Sequence, residues 1–137
     1  MSAANRRRGA DAERAVVRYL NARGFEARRY LAGDGKQPGD IDWHPLIVIE
    51  VKDVRASSWP AWCRQAAKAT GPGQLAAVVR RERGNPDVGR WPCRFRWSDA
   101  VGLGLHLGGV VDDTVGEDLW VCCYFGDLVA AVREMDA

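Results

Sequence analysis

Residues 46–52, Leu-Ile-Val-Ile-Glu-Val-Lys, are the stretch that most restricts how this chain can fold. A short apolar run after His44-Pro45 reads as a strand buried on both faces. Glu50 interrupts that run and Lys52 follows two positions later. Side chains alternate along a strand, so Glu50 and Lys52 share one face while Ile47, Ile49 and Val51 take the other, toward the core. A buried strand that ends by turning a carboxylate and an ammonium the same way needs a reason beyond packing.

The flanking segments supply an α/β frame of one domain over residues 9–137, preceded by a flexible basic arm at residues 1–8. Residues 10–23 have helical spacing, with Val16, Val17 and Leu20 on one face, and Gly24 stops that helix. Residues 25–31 suit a first strand, 32–40 a loop, 41–43 a short second strand and 46–52 the third, after a tight turn at His44-Pro45. Ser57 or Ser58 can cap a second helix that tolerates Pro60 in its first turn and ends at Gly71. Residues 75–80 read as a fully buried strand. Residues 91–97 suit another strand, which Pro92 assigns to a sheet edge. Residues 98–117 are glycine-rich and carry no clear pattern; a strand over 119–125 and a helix over 128–134 close the chain.

With 137 residues the chain can build a real core. No apolar run is long enough to span a membrane and no signal peptide opens the sequence, so a cytoplasmic location is expected, that of the host if the chain is phage-encoded. Cys63, Cys93, Cys122 and Cys123 form no Cys-x-x-Cys pair, and His44 and His106 stand at no zinc-like spacing to them, which favours buried reduced thiols over a zinc site. The net charge is only +2, but most of the positive charge is arginine, the side chain suited to forked phosphate contacts. Arg6, Arg7 and Arg8 form one run, and Arg28 and Arg29 a pair. Such runs are either solvated surface or a phosphate-binding face.

Asp40 stands just before the second strand, so a tight hairpin brings it beside Glu50. Two neighbouring carboxylates repel unless a cation stands between them, and Mg²⁺ prefers carboxylate oxygens and water. Glu13 falls on the apolar face of its helix, where an acid needs a partner, either an arginine or the same cation. Gln65 holds a similar position on the second helix and serves either a structural hydrogen bond or the site. Asp42 lies two positions beyond Asp40 on the same strand face and competes with it for the metal role.

Glu13, Asp40, Glu50-Val51-Lys52 and Gln65 together resemble the PD-(D/E)XK nuclease superfamily. The opening RRRGADAERAVVRYLNARGFEARR, then GDIDW and IVIEVK, is similar to the archaeal-type Holliday-junction resolvases and their phage relatives over about residues 5–81. Gly39-Asp40 stands where that superfamily usually has proline-aspartate. The resemblance implies a restriction-endonuclease-like core: helix, three-stranded meander, helix and strand, here with a C-terminal strand–helix extension. It implies Mg²⁺, or Mn²⁺ in its place, held by Asp40, Glu50 and the Val51 carbonyl, with Glu13 holding a metal-bound water or a second ion. Lys52 would position water or stabilise charge on the phosphate, Gln65 would orient the strand residues, and Arg6, Arg7, Arg8, Arg28 and Arg29 would grip the DNA backbone.

The implied activity is resolution of four-way DNA junctions by paired phosphodiester hydrolysis. Two other readings stay open: a restriction-like or repair nickase of the same superfamily, and a DNA-binding module without chemistry. A junction has approximate two-fold symmetry, so a homodimer is expected. Trp91, Phe95, Trp97, Trp120 and Phe125 are its candidate contacts if they are exposed, and ordinary core if they are not.

Overall fold

A computed structural model of the chain describes residues 2–30, 39–107, 110–115 and 118–137, with side chains described outside 110–115. The loop expected at 32–40 falls mostly outside the described residues. Ser2 opens the first helix, α1 (Ala3–Ala22), its hydroxyl accepting from the Asn5 N–H at 3.1 Å. The Arg6–Arg8 run is therefore part of a helix that starts seven residues earlier than the expected residue 10, and not the flexible arm expected at residues 1–8. The sequence signal was weak because the first turns are exposed and contain a glycine, Gly9, so only the cap marks the start.

Two strands of two residues each follow, β1 (Arg28–Arg29) and β2 (Ile41–Asp42), then β3 (Ile47–Lys52), α2 (Trp59–Ala69) and β4 (Leu75–Arg80). The pairs β1–β2 and β2–β3 are antiparallel, whereas β3 and β4 run parallel in register from Ile47↔Leu75 to Lys52↔Arg80, joined through α2. After a short 3₁₀ turn at Val88–Arg90 come β5 (Pro92–Arg96), α3 (Trp97–Leu103), β6 (Val110–Val115), β7 (Asp118–Tyr124) and α4 (Phe125–Asp136). The result is an α/β fold around one mixed sheet of order β1-β2-β3-β4-β5-β7-β6.

Helices cover both faces of this sheet. Ala12, Val16 and Leu20 of α1 pack with Ile47, Ile49 and Val51 of β3 and with Phe125, Leu128 and Val132 of α4. On the other face Trp62, Cys63 and Ala66 of α2 pack against Val48, Ala76, Val78 and Trp120. Burial on both sides accounts for the unbroken apolar run Leu75–Val79, all of it buried. Among the described residues no helix is long and apolar enough to cross a membrane. All four cysteines are free thiols.

Several expectations are corrected. β5 lies inside the sheet between β4 and β7, not at an edge; Pro92 is tolerated because it is the first residue of the strand. The unpatterned stretch after residue 97 contains α3, stopped by Gly104 in the left-handed conformation, and then β6. Trp91, Phe95, Trp120 and Phe125 are at most 2% exposed, so they are core and not a dimer contact; of the five aromatics only Trp97 is exposed.

Gly39 decides how the chain enters β2. Its φ is +76°, and a Cβ there would stand 2.6 Å from the Ile49 carbonyl oxygen and 2.8 Å from Val48 Cγ1. A residue with a side chain would push β2 off β3. Gly24 also has positive φ, but nothing lies within 4 Å of its missing Cβ. Gly39→Ala is expected to lower stability by about 2–3 kcal/mol and Gly24→Ala by about 1 kcal/mol in urea denaturation. Equal losses would show that the approach of Gly39 to β3 is not tight.

Candidate active site

The C-terminal half of β3 outruns its partner. β2 pairs with it at Ile41↔Ile49, and the Asp40 N–H donates to the Ile49 carbonyl at 2.7 Å. Beyond that point the ladder is continued by a side chain: Asp40 Oδ2 accepts from the Val51 N–H at 2.7 Å. Both main-chain groups of one strand residue point to the same edge, so the Val51 carbonyl faces the Asp40 side. The register also sets Asp40 directly across from Glu50, as the short hairpin predicts.

These residues form one wall of a cleft of about 810 Å³. Asp40, Glu50, Val51 and Lys52 line it from the sheet, and Arg6, Arg8 and Glu13 from α1. Burial raises the Glu50 pKa to about 7, and the nearby Asp40 charge adds to the shift while Lys52 opposes it. Asp40 is also raised by burial, with the Val51 N–H and Lys52 pulling the other way. The two carboxyls act on each other, the contact lowering the Asp40 pKa and raising that of Glu50.

Glu13 lines the same cleft with a side chain 20% exposed, and its Oε1 accepts from Arg29 Nε at 2.8 Å. Burial raises its pKa, while the Arg29 hydrogen bond opposes the shift. Lys52 Nζ donates to Gln65 Oε1 at 3.3 Å, which ties α2 to the strand end; Gln65 itself is exposed and outside the cleft lining. Asp42 pairs with Arg28 at 3.0 Å and does not line the cleft, so Asp40 alone of the two aspartates faces Glu50. The expected arginine set divides. Arg6, Arg8 and Arg29 line the cleft, whereas Arg7 and Arg28 are exposed outside it.

Sequence reasoning missed Asp53, Arg55 and Arg83, which also line the cleft. The Asp53 side chain is 2% exposed and meets Arg81 at 3.4 Å and Arg83 at 3.6 Å. No local spacing announces that contact. It arises because β4, parallel to β3, delivers the segment after Arg80 to the same end of the sheet, where the Arg81 N–H donates to the Lys52 carbonyl at 2.8 Å.

Asp40, Glu50 and the Val51 carbonyl are hard oxygen donors, which suits Mg²⁺ or Mn²⁺. Among the described residues no three Asp, Glu, His or Cys side chains converge as a ready cage. Two carboxylates with a carbonyl still fit an ion that keeps several of its waters. Comparison of the chain with protein-family models, with curated proteins and with solved structures gave no match.

A raised acid pKa makes stability depend on pH. Between the ordinary glutamate value of 4.5 and about 7, the folded chain holds a proton at Glu50 that the unfolded chain has lost. Stability is therefore expected to fall as pH rises through that window. In urea denaturation with EDTA, Glu50→Gln is expected to match the wild type near pH 4.5 and to exceed it at pH 8 by about 1–2 kcal/mol, after allowance for solvent screening. Parallel profiles for the two proteins would show that Glu50 is not destabilised when ionised.

Proposed function

We propose that this chain is a divalent-metal-dependent endonuclease of the PD-(D/E)XK type that cuts branched DNA. The observation that carries the reading is the Asp40–Glu50 pair, held across a strand register in a basic-rimmed cleft with Lys52 beside it. A purely structural role gives no return for burying two acids side by side, where each disfavours charge on its neighbour. The order helix, antiparallel meander, helix, parallel strand supports a restriction-endonuclease-like core.

In this reading Asp40, Glu50 and the Val51 carbonyl hold Mg²⁺ or Mn²⁺. Bound there, the ion supplies Lewis-acid activation of water and of the scissile phosphate. Asp40 keeps its orientation through the Val51 N–H, so the ligand wall is fixed before substrate arrives. Lys52, steadied by Gln65, stabilises negative charge growing on the phosphate oxygens. Glu13, held through one oxygen by Arg29, orders water on the α1 side. Arg6 and Arg8 on the α1 wall contact the phosphate backbone without reading sequence.

Four-way junctions are the proposed substrate, on the strength of the likeness over residues 5–81. The described residues of each chain form one such cleft, so paired nicks call for two chains related by a two-fold axis. With Mg²⁺, the wild type is expected to cut a labelled four-way junction faster than linear duplex of the same sequence. Asp40→Asn and Glu50→Gln are expected to lose at least about 100-fold in rate, a loss of the size seen when a group that stabilises transition-state charge is removed, and to keep junction binding in EDTA. Asp42→Asn should cut normally. Cleavage by Glu50→Gln at the wild-type rate would overturn the metal site. Equal cutting of junction and duplex would reassign the enzyme to a restriction-like or repair nickase, and binding without any cutting would leave a DNA-binding module.

A further inference from the structure

A second groove, of about 300 Å³, opens beside the cleft and shares Val54, Arg55 and Arg83 with it. Arg80 and Arg81 line it as well, so four arginines stand along a path leading out of the acidic site. They are held in three ways. Arg80 Nη2 donates to the carbonyls of Val54 and Arg55, at 3.3 and 2.8 Å, and so pins the backbone that presents Arg55. Arg81 and Arg83 share the single buried carboxylate of Asp53, while their own side chains remain 36% and 45% exposed. Arg81 also lies over the Trp91 ring at 5.9 Å.

The charges do not cancel. Among the described residues neither Arg55 nor Arg80 meets an acid, and one aspartate serves two guanidiniums. Glu82 lines the groove too, with its Oε2 accepting from Asn85 at 3.1 Å. Four positive groups thus face two negative ones. A guanidinium has five N–H donors, and those of Arg81 and Arg83 are only partly used by Asp53. Fixed, half-exposed forks with donors to spare match phosphodiester oxygens.

We propose, resting on the nuclease reading, that this groove carries the sugar-phosphate backbone of DNA away from the cut position. Asp53 is the positioning residue that aims Arg81 and Arg83. The groove also eases a difficulty of the cleft, whose carboxyls repel phosphate until a cation arrives: it adds affinity to the contacts of Arg6 and Arg8.

The test is fluorescence anisotropy with a labelled four-way junction in EDTA, across a salt series. The double variant Arg55→Gln, Arg83→Gln is expected to bind about tenfold more weakly and to flatten the slope of log affinity against log salt by about 2, close to one unit per lost contact. Arg18→Gln with Arg133→Gln, which line neither groove, should leave the slope unchanged. Asp53→Asn separates positioning from bulk charge. Removing a negative group strengthens general attraction to DNA, whereas loss of aim weakens binding, and weaker binding is expected. If Asp53→Asn fails to fold, the glutamine pair still decides. An unchanged slope in that pair would overturn the groove, while Mg²⁺-dependent cutting by the same wild-type preparation would leave the nuclease reading standing. A wild type that neither binds nor cuts removes both.

Discussion

The bond from the Val51 N–H to the Asp40 carboxylate is the contact around which the rest of the site is arranged. A sheet strand normally finds its edge partners in the next backbone. Here β2 ends early, and a side chain takes over one rung of the ladder at 2.7 Å. Three consequences follow from that substitution. Asp40 is fixed in direction, Glu50 is brought opposite it, and the β3 edge beyond them is left free to line a cleft. Gly39 makes the geometry possible, because only a residue without Cβ can pass so close to Val48 and Ile49.

The cost of the arrangement is electrostatic. Burial disfavours charge on both acids, and their proximity penalises the second ionisation further. The fold tolerates this because the hydrogen-bonded and packed frame around the pair is stiff. β3 and β4 run parallel for six residues with helices on both faces, so the strand end cannot relax away from Asp40. The packed sheet thus maintains a poor electrostatic contact at its margin, as sites built for a ligand often do.

Much of this was legible in the sequence wherever one physical rule acted alone. Alternation put Glu50 with Lys52, and a short hairpin put Asp40 beside Glu50. Helical spacing put Glu13 on the buried side of α1. Reading failed where two distant segments decide together. Asp53 meets Arg81 and Arg83 only because parallel strands end at one level, which no local pattern encodes. Pro92 pointed to an edge by its missing N–H, yet as the opening residue of β5 it sits where the interior sheet tolerates it. The five aromatics from Trp91 to Phe125 gave equal support to core and surface; Trp91, Phe95 and Phe125 are buried in the core that α1, α3 and α4 share, Trp120 is buried under α2, and Trp97 stays exposed. Arginine-rich turns before residue 10 hid a helix whose clearest mark is the Ser2 cap.

The two-residue strands at the start of the sheet have a consequence for how the chain behaves in concentrated solution. An exposed strand edge is a template on which other chains can pair. β1 offers only Arg28 and Arg29, and both are occupied with acids, one on β2 and one on α1. So brief and charged a margin gives an incoming strand little to add to. The shortness that leaves the β3 end open to the cleft therefore also guards this side of the sheet against self-association by strand addition. Pairing of two copies by strand addition would have to use another edge.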